Sequence, residues 1–283
     1  MVLGKDNGAD IVGMEVLWPT RYVLSRRSPR ESPIAEALRR SPLFADLDSE
    51  RLLDFARVCS VKQYPKRSAI VRDGDSAPFL YVVLSGVVAS HRLLVGGRET
   101  ILSLLRDPAF FGEWCVSGVA APYGVYALTD AQVAVVPAAA FDELLTTHSM
   151  VSRMFALGVE SRFRSAHERS SSIASHDVTA RIARLLLSLS ESFATEQPDG
   201  TLRIWLRLTN SEMANMVATT RETVNRTLNR FWDQKIVDMR SAQIVVKDLD
   251  TLRTLCGDPL RPSLTVESKL DILSRRKSLA NLG

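Results

Sequence analysis

The sequence predicts an α+β protein: an all-β N-terminal domain, a long central helix and a small C-terminal helix-turn-helix domain. Three observations carry this. Short apolar runs, each closed by turn residues, recur at roughly ten-residue spacing between Val61 and Phe141. An apolar seam of helical period runs from Phe155 to Ile173. Two short amphipathic segments joined by a tight break fill Leu208–Trp232. The composition suits a folded globular chain: 283 residues, 46% hydrophobic and 24% charged. That is room for about two domains of about 100–200 residues each. It excludes a disordered, collagenous or low-complexity chain.

Residues 1–31 read as an irregular leader, with Gly4, Gly8, Gly13, Pro19 and Pro29 and a basic patch at Arg26, Arg27 and Arg30. Its apolar run, around Ile11–Trp18, is preceded by Asp10 and interrupted by Glu15. That is too short and too charged to span a membrane. Without a cleavable signal either, the expected compartment is the cytoplasm, with no membrane partner. The β domain is assigned to residues 32–141. Ser32 followed by Pro33 starts a helix to Arg40. After the Asp46-Leu47-Asp48 turn, a second helix begins at Ser49 and turns Leu52, Leu53, Phe55 and Val58 inward. Strands follow at Ala69–Arg72, Phe79–Leu84, Val87–Leu94, Thr100–Leu105, Val125–Leu128 and Val133–Val136. Gly, Pro and Asp punctuate them, as in a barrel or sandwich.

Residues 142–176 form the central helix and a hinge. Phe155, Val159, Phe163, Ala166, Ser170 and Ile173 recur at intervals of 4, 4, 3, 4 and 3 between flanking charges at Arg153, Glu160, Arg162, Arg164 and Glu168. Such a seam either packs within the chain or joins two copies into a homodimer. Residues 177–256 form the second domain. Val178–Phe193 is an amphipathic helix, Gln197-Pro198-Asp199-Gly200 a turn, Leu202–Leu208 a strand and Ile244–Val246 a closing strand. Residues 257–283, with a basic helix-like stretch at Val266–Leu282, read as a solvated or interacting tail.

The chemistry concentrates between Thr209 and Trp232. Thr209 with Glu212 forms a capping box and starts a helix whose inner face is Met213, Met216 and Val217. Ala218-Thr219-Thr220 is the break, and Thr220 caps the next helix. Val224, Leu228 and Phe231 then face inward, leaving Arg221, Glu222, Asn225 and Arg226 as one outward stripe. A stripe at a helix N-terminus suits base edges in a major groove. Thr209, Ser211, Thr220 and Asn225 would support the contact with double-stranded DNA. The plainer alternative is a solvated face held by a Glu222–Arg226 pair at i,i+4. The net charge of +4 and pI near 9.1 agree with nucleic-acid binding and equally with simple solubility. Cys59, Cys115 and Cys256 lie too far apart for a disulfide framework or a metal knuckle, so no metal is expected. With no cysteine before Cys59, an N-terminal iron–sulfur cluster is not expected either. An enzyme is the least supported class: there is no phosphate-binding loop, zincin motif or nucleophile elbow. Ser170-Ser171-Ser172 beside His167 and His176 reads as a polar stretch near a hinge.

TRETVNRTLNRF at 220–231 and HDVTARIARLLL at 176–187 resemble the recognition helix and the hinge region of the Crp–Fnr family of bacterial transcription regulators. Gly74-Asp75, Ser85-Gly86, Gly96-Gly97 and Phe110-Phe111-Gly112-Glu113 sit at that family's spacing, and the resemblance covers about residues 32–256. It implies a cyclic-nucleotide-binding-like β-roll, a dimerisation helix and a winged helix-turn-helix. It also implies a homodimer on a palindrome of the TGTGA-N6-TCACA kind, with RNA polymerase as a partner for an activator. Arg221, Glu222 and Arg226 match the family's three base-reading positions, and Ala218 stands where the family usually has Gly. In the sensor, Gly112 and Glu113 are present, but Tyr123 and Gly124 occupy the places of the Arg-Ser pair that holds a cyclic phosphate. Arg162 matches a pocket-facing position, Ala166 and His167 replace a hydroxyl pair, and Pro108 replaces a glycine of the roll. Ordinary cyclic-AMP binding is therefore not expected. No cofactor is assigned. A cyclic dinucleotide, another anion such as a carboxylate, or no ligand at all stay open, as do His91 and His167 as haem ligands. A ligand-binding regulatory subunit that does not bind DNA is the alternative function.

Overall fold

The computed structural model describes residues 32–256 except Val95, Ser241 and Ala242; the leader and the tail read from the sequence lie outside these described residues. Helix α1 (Pro33–Arg39) starts where expected, with Ser32 Oγ accepting from Ala35 N and Pro33 in the first turn. Helix α2 (Ser49–Val58) is capped by Asp48 and buries Leu52 and Phe55. Val58, expected inward, is exposed, because the chain leaves the helix at Cys59 and the buried Cys59 takes the inward place.

Two four-stranded antiparallel sheets form the β domain. One has the order β1 (Ser60–Tyr64), β8 (Ala131–Pro137), β3 (Phe79–Ser85) and β6 (Phe110–Phe111). The other runs β2 (Ala69–Val71), β7 (Gly124–Ala127), β4 (Val87–Leu93) and β5 (Glu99–Arg106). Strand β3 is covered on both faces. Leu80, Val82 and Leu84 pack under the helices with Leu38, Phe44, Leu52 and Phe141. Tyr81 and Val83 point between the sheets with Val88, Phe111, Val125 and Val133. A strand buried twice reads as an unbroken apolar run. Strands β1 and β6 were not anticipated. β1 (SVKQY) is a half-polar edge strand, and β6 has only two residues.

The chain then forms α3 (Ala138–Thr147) and α4 (Ser149–Ser175), separated by His148 in extended conformation. The expected domain boundary after residue 141 therefore falls inside α3. The C-terminal domain contains α5 (Val178–Phe193), the β9 (Ala194–Glu196)–β10 (Leu202–Ile204) hairpin, α6 (Asn210–Val217) and α7 (Arg221–Asp233). It closes with β11 (Val237–Arg240), β12 (Gln243–Val246) and α8 (Leu249–Leu255). The strand expected to reach Leu208 stops at Ile204. Beyond it Trp205 N donates to Phe193 O, Leu206 turns into the core, and the chain prepares the Thr209 cap. β11 (VDMR) carries too few apolar residues in sequence to be seen, and α8 is only seven residues long. The sheet order is β11-β12-β10-β9, so β11 and β12 make the wing.

The two domains are packed together. Val87, Ala89, Ile101 and Leu128 of the roll share one buried cluster with Ile182, Leu186, Met213 and Val217. At its edge, Asn215 Nδ2 donates to Glu99 Oε2 at 3.4 Å and Arg67 pairs with Glu212 at 3.6 Å.

Candidate nucleic-acid interface and sensor cassette

The geometry of α6 and α7 follows from their caps. Thr209 Oγ1 accepts from Glu212 N at 3.1 Å, and Glu212 Oε2 accepts in return from Thr209 N at 2.7 Å, which pairs two otherwise unsatisfied donors. Helix α6 ends at Ala218 with φ 53° and ψ 55°, a left-handed residue that costs an L side chain about 1–2 kcal/mol. Arg181 Nη2 donates to Ala218 O at 3.4 Å and braces the turn. Thr220 Oγ1 then accepts from Thr223 N and starts α7. Val224, Leu228 and Phe231 are buried with Met213, Val217, Ile182 and Leu186. Because one stripe is sunk in this core, Arg221, Glu222, Asn225 and Arg226 face outward and are exposed. Thr209, Ser211 and Thr220 are exposed near the two helix N-termini. Among the described residues, no ion pair joins Glu222 to Arg226, so both side chains are free to meet a ligand. Arg230, in the last turn of α7, is engaged instead, donating to Thr179 Oγ1 at 2.6 Å. One contact escaped the sequence reading: Asn210 Nδ2 donates to Asn225 Oδ1 at 3.2 Å.

The sensor cassette begins at Gly112, whose φ of 92° and closeness to Phe79 O (2.5 Å from an added Cβ) admit only glycine. A 3-10 turn, Glu113–Val116, follows. The Glu113 carboxylate is held from both sides: Tyr123 donates its hydroxyl to Oε1 at 2.6 Å and Arg162 donates Nη2 to Oε2 at 3.2 Å. Burial, reinforced by the Glu113 charge, pushes the Tyr123 phenol well above its usual range, so it stays protonated and donates. Arg162 also donates to Phe110 O at 2.6 Å and lies over the Phe110 ring, 4.5 Å from its centre. Helix α4 approaches that ring at Gly158, where an added Cβ would stand 2.6 Å from it. Gly124 is equally confined, with His91 Nε2 2.5 Å from an added Cβ. His91 Nδ1 stands 3.0 Å from Glu99 Oε1 without a hydrogen bond between them. Gly112, Glu113, Tyr123, Gly124 and Arg162 are thus brought together. Ala166 and His167 are exposed, and the His167 ring stacks on Phe163 at 6.4 Å. The contact of Arg162 with Phe110, the close approach at Gly158 and the His91–Glu99 approach are not legible in the sequence, since nothing local marks them.

The helical seam divides. Phe155, expected at the dimer interface, packs inside its own domain against Phe110 and Phe141, at 5.5 and 5.3 Å between ring centres. It is covered because α3 and β6 converge there, and Val159 beside it is half-buried. Further along α4, Phe163 is 72% and Ile173 48% exposed, and Ala166 and Ser170 are exposed with them. Burial raises the Cys59 thiol to about 12 and the Cys115 thiol to about 11, which disfavours their thiolates. Among the described residues, no His, Cys, Asp and Glu cluster could hold a metal, and no helix is long and apolar enough to cross a membrane.

Two family models match this chain: a cyclic nucleotide-binding domain over residues 61–148 and a Crp-like helix-turn-helix domain over residues 180–255. The chain is 30% identical over 195 residues to the cAMP-activated global transcriptional regulator CRP of Escherichia coli O6:H1, a match spanning 68% of this chain and 91% of that protein. Its fold is similar to that of FixK2 from Bradyrhizobium japonicum, with a TM-score of 0.65 at 23% identity over 72% of this chain and 100% of that one. It is also similar to TTHA1359, a CRP/FNR-family transcriptional regulator from Thermus thermophilus, with a TM-score of 0.58 at 26% identity over 71% of this chain and 100% of that one.

Proposed function

The chain belongs to the Crp–Fnr family of transcription regulators, and from that premise we propose that it acts as a homodimer reading a palindromic, TGTGA-like operator through α7. The observation that carries this reading is the exposed, unpaired stripe of Arg221, Glu222 and Arg226 above a buried stripe of Val224, Leu228 and Phe231. A helix held in this way fits the major groove. Arg221 and Arg226 suit guanine O6 and N7, and Glu222 can accept from a cytosine amine on the other strand. The exposed Thr209, Ser211 and Thr220 carry hydroxyls suited to phosphate contacts that would fix the register. Two copies of α7 must stand about 34 Å apart to read successive grooves. The exposed Phe163, Ala166, Ser170 and Ile173 stripe on α4 supplies a surface for that pairing. RNA polymerase is the further partner when the bound site lies upstream of a promoter, and the cytoplasm is the compartment.

The cassette does not fit a cyclic phosphate. Such a group needs a cation and a hydroxyl donor facing it. Here Arg162 is already paired with Glu113, and the Tyr123 hydroxyl is spent on the same carboxylate. A phosphate at this place would meet a carboxylate without a free positive partner. On this pairing an effector has to bring its own means of displacing Arg162 from Glu113, or the protein acts without one.

The test is binding of the full-length protein to a duplex carrying TGTGA-N6-TCACA, titrated at several salt concentrations. A regulator shows a steep loss of affinity with salt, with a slope near −0.9 per phosphate contacted. Absence of binding at low salt would favour the ligand-binding regulatory subunit instead.

A further inference from the structure

We propose that Asn210, at the start of α6, sets the base preference of Asn225 on α7. It does so by holding the Asn225 side chain with its amide nitrogen outward. The inference rests on the reading of α7 as the base-reading helix and adds a position to it. Asn225 is exposed on the outward stripe, between Arg221 and Arg226 in sequence. Its carbonyl oxygen accepts from Asn210 Nδ2 at 3.2 Å. A primary amide has one accepting end and one donating end. With the oxygen turned back toward α6, the NH2 group is the end left for a base. Asn210 has an anchored backbone. It is the first residue of α6, next to the reciprocal Thr209–Glu212 cap, and Glu212 is itself tied to Arg67 of the roll.

The chemical consequence is a sign of preference. In the major groove, guanine offers the acceptors O6 and N7 and thymine offers O4, whereas cytosine offers only its N4 donor. Adenine offers N7 as well as its N6 donor, so a donor-out Asn225 discriminates chiefly against cytosine, whose amine would be left opposite another donor, and favours guanine or thymine over it. Asp at position 210 has acceptors only. Asn225 must then turn its NH2 toward residue 210 and present its oxygen outward, so the preference inverts although Asn225 is unchanged. Asn210 is thus a positioning residue and Asn225 the group that touches the base.

The experiment is a randomised half-site selection with the full-length wild type, N210D, N210A and N225D, each first shown to be folded by circular dichroism. Wild type should enrich guanine or thymine over cytosine at one position of each half-site by at least about fivefold, the lower end expected for one base contact. N210D and N225D should both enrich cytosine at that same position, and N210A should flatten it. A merely structural role for Asn210, or the added charge of Asp, would lower affinity for all sequences alike and leave the preference where it was. If N225D inverts the position and N210D does not, the positioning role is overturned. If no variant changes any position while wild type still enriches an inverted repeat, the whole inference falls and the reading of α7 stands. If folded wild type enriches no inverted repeat, the reading of α7 fails first and the inference with it.

Discussion

Ala218 and Glu113 show how much single residues determine here. Ala218 closes α6 in a left-handed conformation that glycine adopts without cost. Ala218→Gly should therefore raise unfolding stability by about 0.5–1 kcal/mol, the relief of left-handed strain less the greater chain entropy of glycine. Denaturant unfolding measures it, and a destabilised variant would show that the methyl group packs usefully in the turn. Glu113 pairs with Arg162 and accepts the Tyr123 hydroxyl, so neither group is free to meet a phosphate. Cyclic AMP at physiological concentration should then change DNA affinity by less than about threefold, or under roughly 1 kcal/mol of coupling. A large saturable effect in a binding titration would contradict this. The two residues differed in legibility. The Thr209 cap and the unusual Ala218 are local features, readable from three or four neighbours. Arg162 lies 49 residues from Glu113, and Asn210 lies 15 from Asn225, across a turn whose geometry no pattern specifies. The replacement of the Arg-Ser pair was visible only through resemblance, and the internal pairing that fills its place was not visible at all.

Among the elements, those with one buried face were read most faithfully. Helix α5 runs over Val178–Phe193 as its period predicts, and α7 buries the three residues expected of it. Edge elements escaped, because β1 and β11 alternate too little apolar surface to stand out from a loop. Helix α4 shows the limit of periodicity. The seam from Phe155 to Ile173 is a true helical stripe, yet its period cannot say what covers it. Phe155 is covered by Phe110 and Phe141 of its own chain, while Phe163 and Ile173 remain uncovered. A dimer surface on α4, as proposed, would therefore use its second half, where Phe163 and Ile173 are exposed. Phe163→Glu should place a charge in that surface and yield monomers with little operator affinity. Light scattering decides: a variant that stays dimeric would move the interface elsewhere, and Phe155→Glu should instead damage the fold of the monomer.

The whole molecule couples a roll to a DNA-binding domain through a shared apolar cluster. Val87 and Ala89 of β4 and Ile101 of β5 close the core that α5, α6 and α7 open. Arg67–Glu212 and Glu99–Asn215 fasten its rim, so the first helix of the helix-turn-helix rests on the roll while α7 stays exposed. That arrangement gives a recognition helix with a fixed base and an open face, and two such helices across α4 would read two half-sites. The order of the domains was legible in the sequence because each has its own period. Their contact was not, since the residues that meet are apolar in either domain's own account. The most direct test of the central claim, that α7 reads an operator base by base, is a randomised-site selection with wild type, Arg226→Ala and Glu222→Ala. Wild type should enrich an inverted repeat. Arg226→Ala should cost about 1–3 kcal/mol per half-site, up to about twice that in the dimer, and relax one guanine. Glu222→Ala should relax one cytosine-bearing pair while leaving non-specific binding nearly unchanged, since it removes no phosphate contact. A wild type that enriches no inverted repeat, or a Glu222→Ala variant that selects the same site with the same stringency, would contradict the account.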